Sequence, residues 1–154
     1  MSAQPKSLLR CREMHRSDLP TVLHIERACY EFPWSEGIFR DCLRMGYSSW
    51  VATNTLDEIL GYGLMSYAMD EAHILNICVD PDNWRRGIGS YLLDQLLTQA
   101  RQHRVDWVLL EVRRSNQAAI GLYQGVGFHE IGERRNYYPA VKGREDALVL
   151  GRRL

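Results

Sequence analysis

The stretch Ile77-Cys78-Val79-Asp80-Pro81-Asp82-Asn83-Trp84-Arg85-Arg86-Gly87-Ile88-Gly89-Ser90 concentrates residue types suited to holding an anion. An apolar run enters an Asp-Pro loop, and the loop opens a long amphipathic segment. Gly87 and Gly89 remove side chains where a backbone must approach something closely. The amides of a helix N-terminus, at the positive end of its dipole, suit a pyrophosphate, and Arg85 and Arg86 add cationic donors. No Gly-Lys-Ser/Thr follows, so this is not a Walker loop, and the GxGxxG spacing of a dinucleotide fingerprint is missing. On its own the glycine pair is equally compatible with a tight turn.

Two further side chains could move protons. Glu111 sits in the compact apolar strand Trp107 to Val112, among Leu109, Leu110 and Val112. Burial there is expected to raise its pKa, which would make it a usable base; the plainer alternative is an ion pair with Arg113. Tyr123 lies on the amphipathic segment Asn116 to Val126. A phenol, with a reference pKa of about 10, stays protonated at neutral pH and can donate, or it can simply pack. The cysteines Cys11, Cys29, Cys42 and Cys78 are scattered without a CxxC pair, and the five histidines form no HExxH. Reduced thiols and no metal site are therefore expected.

The elements that must position these groups alternate. Leu8 to Met14 reads as a short strand. Ser17 offers an N-cap to a helix carrying Leu19, Val22, Leu23, Ile25, Glu26 and Cys29. Phe32-Pro33-Trp34-Ser35 breaks that helix, and Ser35 can cap a second one bearing Ile38, Phe39, Cys42 and Leu43. Strand-like runs follow at Tyr47 to Thr53, Ile59 to Ala68 and His73 to Val79, with a polar turn at Asn54 to Glu58. The best helix has Ile88, Leu92, Leu93, Leu96, Leu97 and Ala100 on one stripe. After the strand at Trp107 and the helix at Asn116, Phe128 to Glu133 and Asp146 to Leu150 close the chain around a turn at Lys142-Gly143. The order β-α-α-β-β-β-α-β-α-β-β predicts one α/β domain over residues 1–154, with a mixed central sheet and one strand-helix-strand crossover.

Composition excludes several classes. The chain of 154 residues is 45% apolar and 25% charged, ordinary for a protein with a real core. Its formal net charge is zero, so no global field recruits nucleic acid or an anionic membrane. The local pairs Arg85-Arg86, Arg113-Arg114 and Arg134-Arg135 read as solvated or contact arginines. Met1 to Arg12 has no apolar signal core, and no apolar run approaches the roughly 18 residues of a membrane span. A cytoplasmic location is the expectation.

Arg85-Arg86-Gly87-Ile88-Gly89 after a strand resembles the acetyl-CoA motif of the GNAT superfamily, Q/R-x-x-G-x-G/A, with Trp84 in the place of its first Gln or Arg. Asn116-Gln117-Ala118-Ala119-Ile120-Gly121-Leu122-Tyr123-Gln124-Gly125-Val126-Gly127-Phe128 is similar to the family's N-x-x-A-i-x-l-Y-x-x-x-G-F pattern. The resemblance implies a single GNAT domain using acetyl-CoA as cosubstrate and no metal. Amides over Arg85, Arg86, Gly87, Ile88, Gly89 and Ser90 would hold the pyrophosphate. The backbone of Ile77 and Val79 would pair with the pantetheine arm, and Cys78 between them belongs to the same cofactor-binding strand, its thiol packing and forming no acyl-cysteine. Asn116 would contact that arm, Glu111 would act as base and Tyr123 as acid in direct transfer within a ternary complex. Phe32-Pro33-Trp34-Ser35, Leu110-Glu111-Val112-Arg113, Arg135-Asn136-Tyr137-Tyr138-Pro139 and Glu145-Asp146-Ala147 resemble a narrower branch, the bacterial ribosomal-protein S18 alanine N-acetyltransferases. That implies a protein N-terminus as acceptor, walled by Pro33, Trp34, Tyr137 and Tyr138. Glu26, Glu31 and Asp146 become acidic candidates for meeting a basic second residue. The rival readings are a GNAT enzyme for a lysine or small amine, and a non-catalytic acyl-CoA-binding module.

Overall fold

The computed structural model describes residues 8–154; the tail expected to lack a signal core lies partly outside them. The elements run β1 (Arg10–Glu13), α1 (Leu19–Cys29), α2 (Glu36–Arg44), β2 (Ser48–Thr53), β3 (Ile59–Ala68), β4 (Glu71–Val79), α3 (Ile88–Gln102), β5 (Trp107–Arg113), α4 (Gln117–Gly125), β6 (His129–Pro139) and β7 (Arg144–Arg153). This is the expected order, with short 3₁₀ turns at Arg16–Asp18 and Pro81–Asn83 added. Among the described residues seven strands hydrogen-bond in the order β1-β2-β3-β4-β5-β7-β6. Among the described residues no helix is long and apolar enough to cross a membrane.

The chain divides into two compact units. The first comprises residues up to Ser66 together with Asn76–Gln99. Here β1, β2 and β3 pair antiparallel. On one face of β3, Tyr62 and Leu64 join Leu19, Val22, Ile25, Phe39 and Val51 in a closed core, where the Phe39 and Tyr62 rings meet edge-on at 5.8 Å. On the opposite face Gly61 and Gly63 let α3 settle. A Cβ at Gly61 would come within 2.7 Å of the Cys78 carbonyl oxygen and 3.0 Å of Leu92 Cδ1, and one at Gly63 within 2.9 Å of Leu96 Cδ1.

Helix α1 starts differently from the Ser17 cap read in the sequence. The chain enters through the Arg16–Asp18 turn, with Pro20 in the first helical turn. The Asp18 carboxylate accepts the His15 amide at 2.8 Å and the two terminal guanidinium nitrogens of Arg12 at 2.8 and 2.9 Å. Proline pre-sets the entry geometry, and the arginine fixes Asp18, so a serine cap has no role. Ser35 does cap α2, accepting the Ile38 amide at 3.3 Å.

At the centre of this unit Glu26 is 1% exposed. Its carboxylate accepts the Tyr62 hydroxyl at 2.5 Å, the Asn76 amide at 2.8 Å and the Trp34 backbone N–H at 2.8 Å. Three elements and the loop after α1 thus converge on one side chain. Burial removes Glu26 from the acidic residues that could meet a peptide side chain, which corrects the sequence reading.

The second unit comprises Tyr67–Leu75 and Ala100–Leu154. Residues Glu71–Ile74 of β4 pair in parallel with Trp107–Leu110 of β5, and β7 runs antiparallel between β5 and β6. Strand β6 continues to Pro139, six residues past the Glu133 end expected from the sequence, through a register shift between Arg134 and Tyr138 where Asn136 takes φ +51°. It is exposed for most of its length, so its pairing comes from backbone hydrogen bonds and leaves no apolar alternation in the sequence.

Gly61→Ala is expected to cost about 1–3 kcal/mol from overpacking against backbone, and Gly63→Ala less, because the Leu96 methyl can swing away. Urea melts giving the reverse order would refute this packing account. Glu26→Ala, which strands three buried donors, is expected to cost about 3–5 kcal/mol. A loss below about 1 kcal/mol would show that the network contributes little to stability.

Candidate active site

In the first unit the stretch from Val79 forms a compact turn. Asp80 donates its amide to the Leu60 carbonyl at 2.8 Å and accepts the Asp82 amide on its side chain at 3.1 Å. Arg85 has φ +64° and Gly87 φ +79°, while Arg86 between them is not in the left-handed region. A backbone whose φ alternates in sign in this way curls successive amides toward one side and forms a concavity suited to anions. The Tyr91 amide closes onto the Gly87 carbonyl at 3.1 Å. The N–H groups of Ile88, Gly89 and Ser90 therefore lie in the first turn of α3, where an α-helix supplies no partner. Ile88 itself is buried against Leu60 and Leu92, which anchors the turn to the core.

Trp84 has a definite place. Its ring is 53% exposed, yet its indole N–H donates to the Val79 carbonyl at 2.8 Å. The Cys29 thiol reaches the same oxygen at 3.2 Å, and the Tyr30 hydroxyl donates to the Ile77 carbonyl at 3.1 Å. The carbonyls of Ile77 and Val79, whose backbone is expected to pair with a pantetheine arm, thus already accept from side chains. Cys78 is buried. Its contact with Cys29, together with burial, pushes its thiol far up, so it is a poor nucleophile and fits a packing role.

In the second unit Glu111 lies at the centre of a polar cluster. One carboxylate oxygen meets His73 Nε2, and the other lies 3.2 Å from Arg134 Nε. Both expectations for this residue are corrected. Arg113 pairs with Glu145 at 3.1 Å instead, because it reaches the Pro139 carbonyl on that side at 2.8 Å. Burial is the largest influence and raises the Glu111 pKa, but the His73 hydrogen bond and the charges of His73 and Arg134 outweigh it. The net shift is downward.

Tyr123 occupies the other side of β5. Arg152 stands opposite Val108 and donates to the Val126 carbonyl at the end of α4 at 2.7 Å. That places the end of α4 on the Val108, Leu110 and Val112 face, while Glu111 projects from the alternate face. The Tyr123 ring is 7% exposed and meets Phe128 edge-on at 6.0 Å. Asn116 is the N-cap of α4, its side chain accepting the Ala119 amide at 3.2 Å.

The aromatic residues divide by exposure. Trp34 packs its ring on Phe39 at 5.2 Å and is half-buried, whereas Pro33 is exposed. Tyr137 and Tyr138 meet edge-on at 4.9 Å; Arg134 lies over the first ring and Arg113 over the second. Burial, then the Glu111 charge, raises the Tyr138 pKa. His73, Arg134 and the Glu26 network carry no sequence signal of their role. His73 stands opposite Leu109, diagonal to Glu111, a neighbour that strand register alone reveals. Among the described residues no group of three or more His, Cys, Asp or Glu could hold a metal ion.

The acetyltransferase (GNAT) family model matches residues 19–128. The [ribosomal protein bS18]-alanine N-acetyltransferase of Escherichia coli K12 is 40% identical over 137 residues, covering 89% of this chain and 92% of that one. The crystal structure of the ribosomal-protein-S18-alanine N-acetyltransferase from Escherichia coli superposes with a TM-score of 0.87 at 38% identity, covering 94% of this chain and 93% of that one. Ard1 from Thermoplasma volcanium follows with a TM-score of 0.86 at 28% identity, covering 96% and 98%. With the motif on the turn into α3, the glutamate on β5 and the tyrosine on α4 all in the matched region, the chain belongs to the acetyltransferase (GNAT) family.

Proposed function

We propose that this protein transfers the acetyl group of acetyl-CoA to the N-terminal α-amine of a protein, with an alanine first and ribosomal protein S18 as the natural acceptor. The observation that carries the cofactor assignment is the sign-alternating turn Arg85–Gly87 at the entry to α3. Its amides, with those of Ile88, Gly89 and Ser90, suit the pyrophosphate. The backbone of Ile77 and Val79 would run beside the pantetheine arm, with Asn116 near it. The acceptor rests on kinship with alanine N-acetyltransferases that this chain matches over most of their length, and a ribosomal acceptor implies the cytoplasm. Pro33, Trp34, Tyr137 and Tyr138 are assigned to the acceptor.

The reaction needs modest chemistry. The amine nitrogen attacks the thioester carbonyl, the C–N bond forms and the C–S bond breaks. The amine gives up one proton to Glu111, directly or through water, and Tyr123 gives one to the departing thiolate. The lowered pKa of Glu111 favours an α-amine over a lysine. At pH 7.5 roughly a third of α-amines are already neutral, against about one lysine in a thousand. A weak carboxylate base suffices for the first and serves the second poorly.

An Ala-initiated S18-like peptide is therefore expected to exceed, in kcat/KM, the same peptide with a blocked N-terminus and an internal lysine. The opposite preference would overturn the acceptor. Glu111→Gln and Tyr123→Phe should each lower transfer by about 10²–10⁴ with acetyl-CoA binding intact; a near wild-type rate in either variant would return that residue to packing. Gly87→Asp adds a carboxylate at a φ of +79°. Calorimetry on the folded variant should show acetyl-CoA affinity lost, and unchanged affinity would remove the turn from the site.

A further inference from the structure

Glu111 presents an unusual arrangement for a base. Both of its oxygens are engaged, one by His73 Nε2 and the other by Arg134 Nε at 3.2 Å. The Glu111 side chain is 9% exposed, the His73 side chain 35% and the Arg134 side chain 56%. An ionised carboxylate only accepts, so the histidine nitrogen facing it carries the proton. The two partners differ in kind. Arg134 is a permanent cation, largely in water, and its effect is screened by salt. His73 is a directed donor on the neighbouring strand, facing one oxygen of the carboxylate.

We infer that His73 is a positioning residue for Glu111: it fixes the plane of the carboxylate, keeps it ionised, and so sets the pH at which the acceptor amine can lose its proton. The inference rests on the reading of Glu111 as the base. The other charged or titratable groups around the pair are Arg134, Tyr137 and Tyr138 on β6, Arg113 on β5 and Glu145 on β7. Arg113 is committed to Glu145 at 3.1 Å, and Tyr137 lies under Arg134. Tyr138 senses the Glu111 charge. His73 is thus the group whose removal leaves burial of Glu111 least opposed. Burial favours the neutral acid. A base that protonates more readily is lost at a higher pH, so the Glu111 step of the acid limb, which lies below the step of the amine itself, must move upward when His73 is replaced.

The experiment measures kcat against pH with saturating acetyl-CoA and saturating Ala-initiated peptide, conditions that report groups in the bound complex. His73→Leu removes both donor and charge; His73→Gln restores a neutral donor. The acid limb of His73→Leu is expected to rise by about one pH unit and its plateau to fall roughly tenfold. The peptide KM should change less than about twofold, since His73 is assigned no contact with the acceptor. His73→Gln should recover most of the plateau and part of the limb. A His73→Leu protein with the wild-type limb and plateau overturns the inference, as does an Arg134→Gln limb that moves further and does not relax in salt. If Glu111→Gln is inactive while His73→Leu is unchanged, this inference alone fails. If Glu111→Gln is fully active, the base assignment itself fails. Carbon-13 titration of the Glu111 carboxyl in the full-length protein with CoA tests the same point without turnover. Its midpoint should rise in His73→Leu, and an unmoved titration overturns the proposal.

Discussion

A single buried carboxylate organises the unit that carries the turn into α3. Glu26 accepts from Tyr62 on β3, Asn76 on β4 and the Trp34 amide in the loop after α1. Burying a charged or polar group is costly unless it is fully paired. With three donors present the network instead restricts the loop and strands to one arrangement. Tyr30, at the end of α1, extends the same logic by donating to the Ile77 carbonyl. The backbone between Asn76 and Val79 is therefore held by side chains from another element. An apolar core of the same volume would hold the helix as firmly, but it would leave the Trp34 loop with an unpartnered amide. The carboxylate thus makes the loop conformation part of the fold.

The second unit contains a contest between two effects on one glutamate. Burial alone would push Glu111 toward the neutral acid, the behaviour expected from its apolar sequence neighbours. The His73 hydrogen bond from β4 and the charges of His73 and of Arg134 on β6 reverse the sign. The lowered pKa keeps the carboxylate ionised across the neutral range at the expense of basicity. That compromise suits an acceptor whose amine is already partly neutral and disfavours one with a strongly basic amine. The same pair of contacts thus leaves a weak base, which is enough for the kind of acceptor that kinship points to.

Much of this is legible in the chain. The strand-turn-helix at Val79–Gln102 is visible because its signals are local: an Asp-Pro loop, two glycines and a leucine stripe. Ser35 is readable as a cap for the same reason. Ser17 looks like a cap because the sequence does not show that Arg12, from the preceding strand, fixes Asp18. The full extent of β6 is hidden because an exposed strand has no apolar alternation to display. His73 stays silent because its partner lies 38 residues away, and only the parallel register of β4 on β5 brings them together. Glu26 looks like a surface acid within a helical stripe; its donors come from β3, β4 and a loop, and no local rule anticipates three of them meeting.

Trp84 shows how a departure from a family pattern can preserve a physical need. The motif places Gln or Arg at that position, and this chain has an indole. An indole offers one N–H donor and no acceptor, and here that donor is spent on the Val79 carbonyl at 2.8 Å. The bond ties the start of the Arg85–Gly87 turn to the end of β4, five residues back in the chain. Arg85, the next residue, must take φ +64°, a conformation that costs a non-glycine residue free energy. A rigid, tethered aromatic immediately before it limits the alternatives to which that residue could relax. The replacement thus exchanges a long polar side chain for a short tether on the backbone. The amide concavity, which depends on φ values and not on side chains, is left intact.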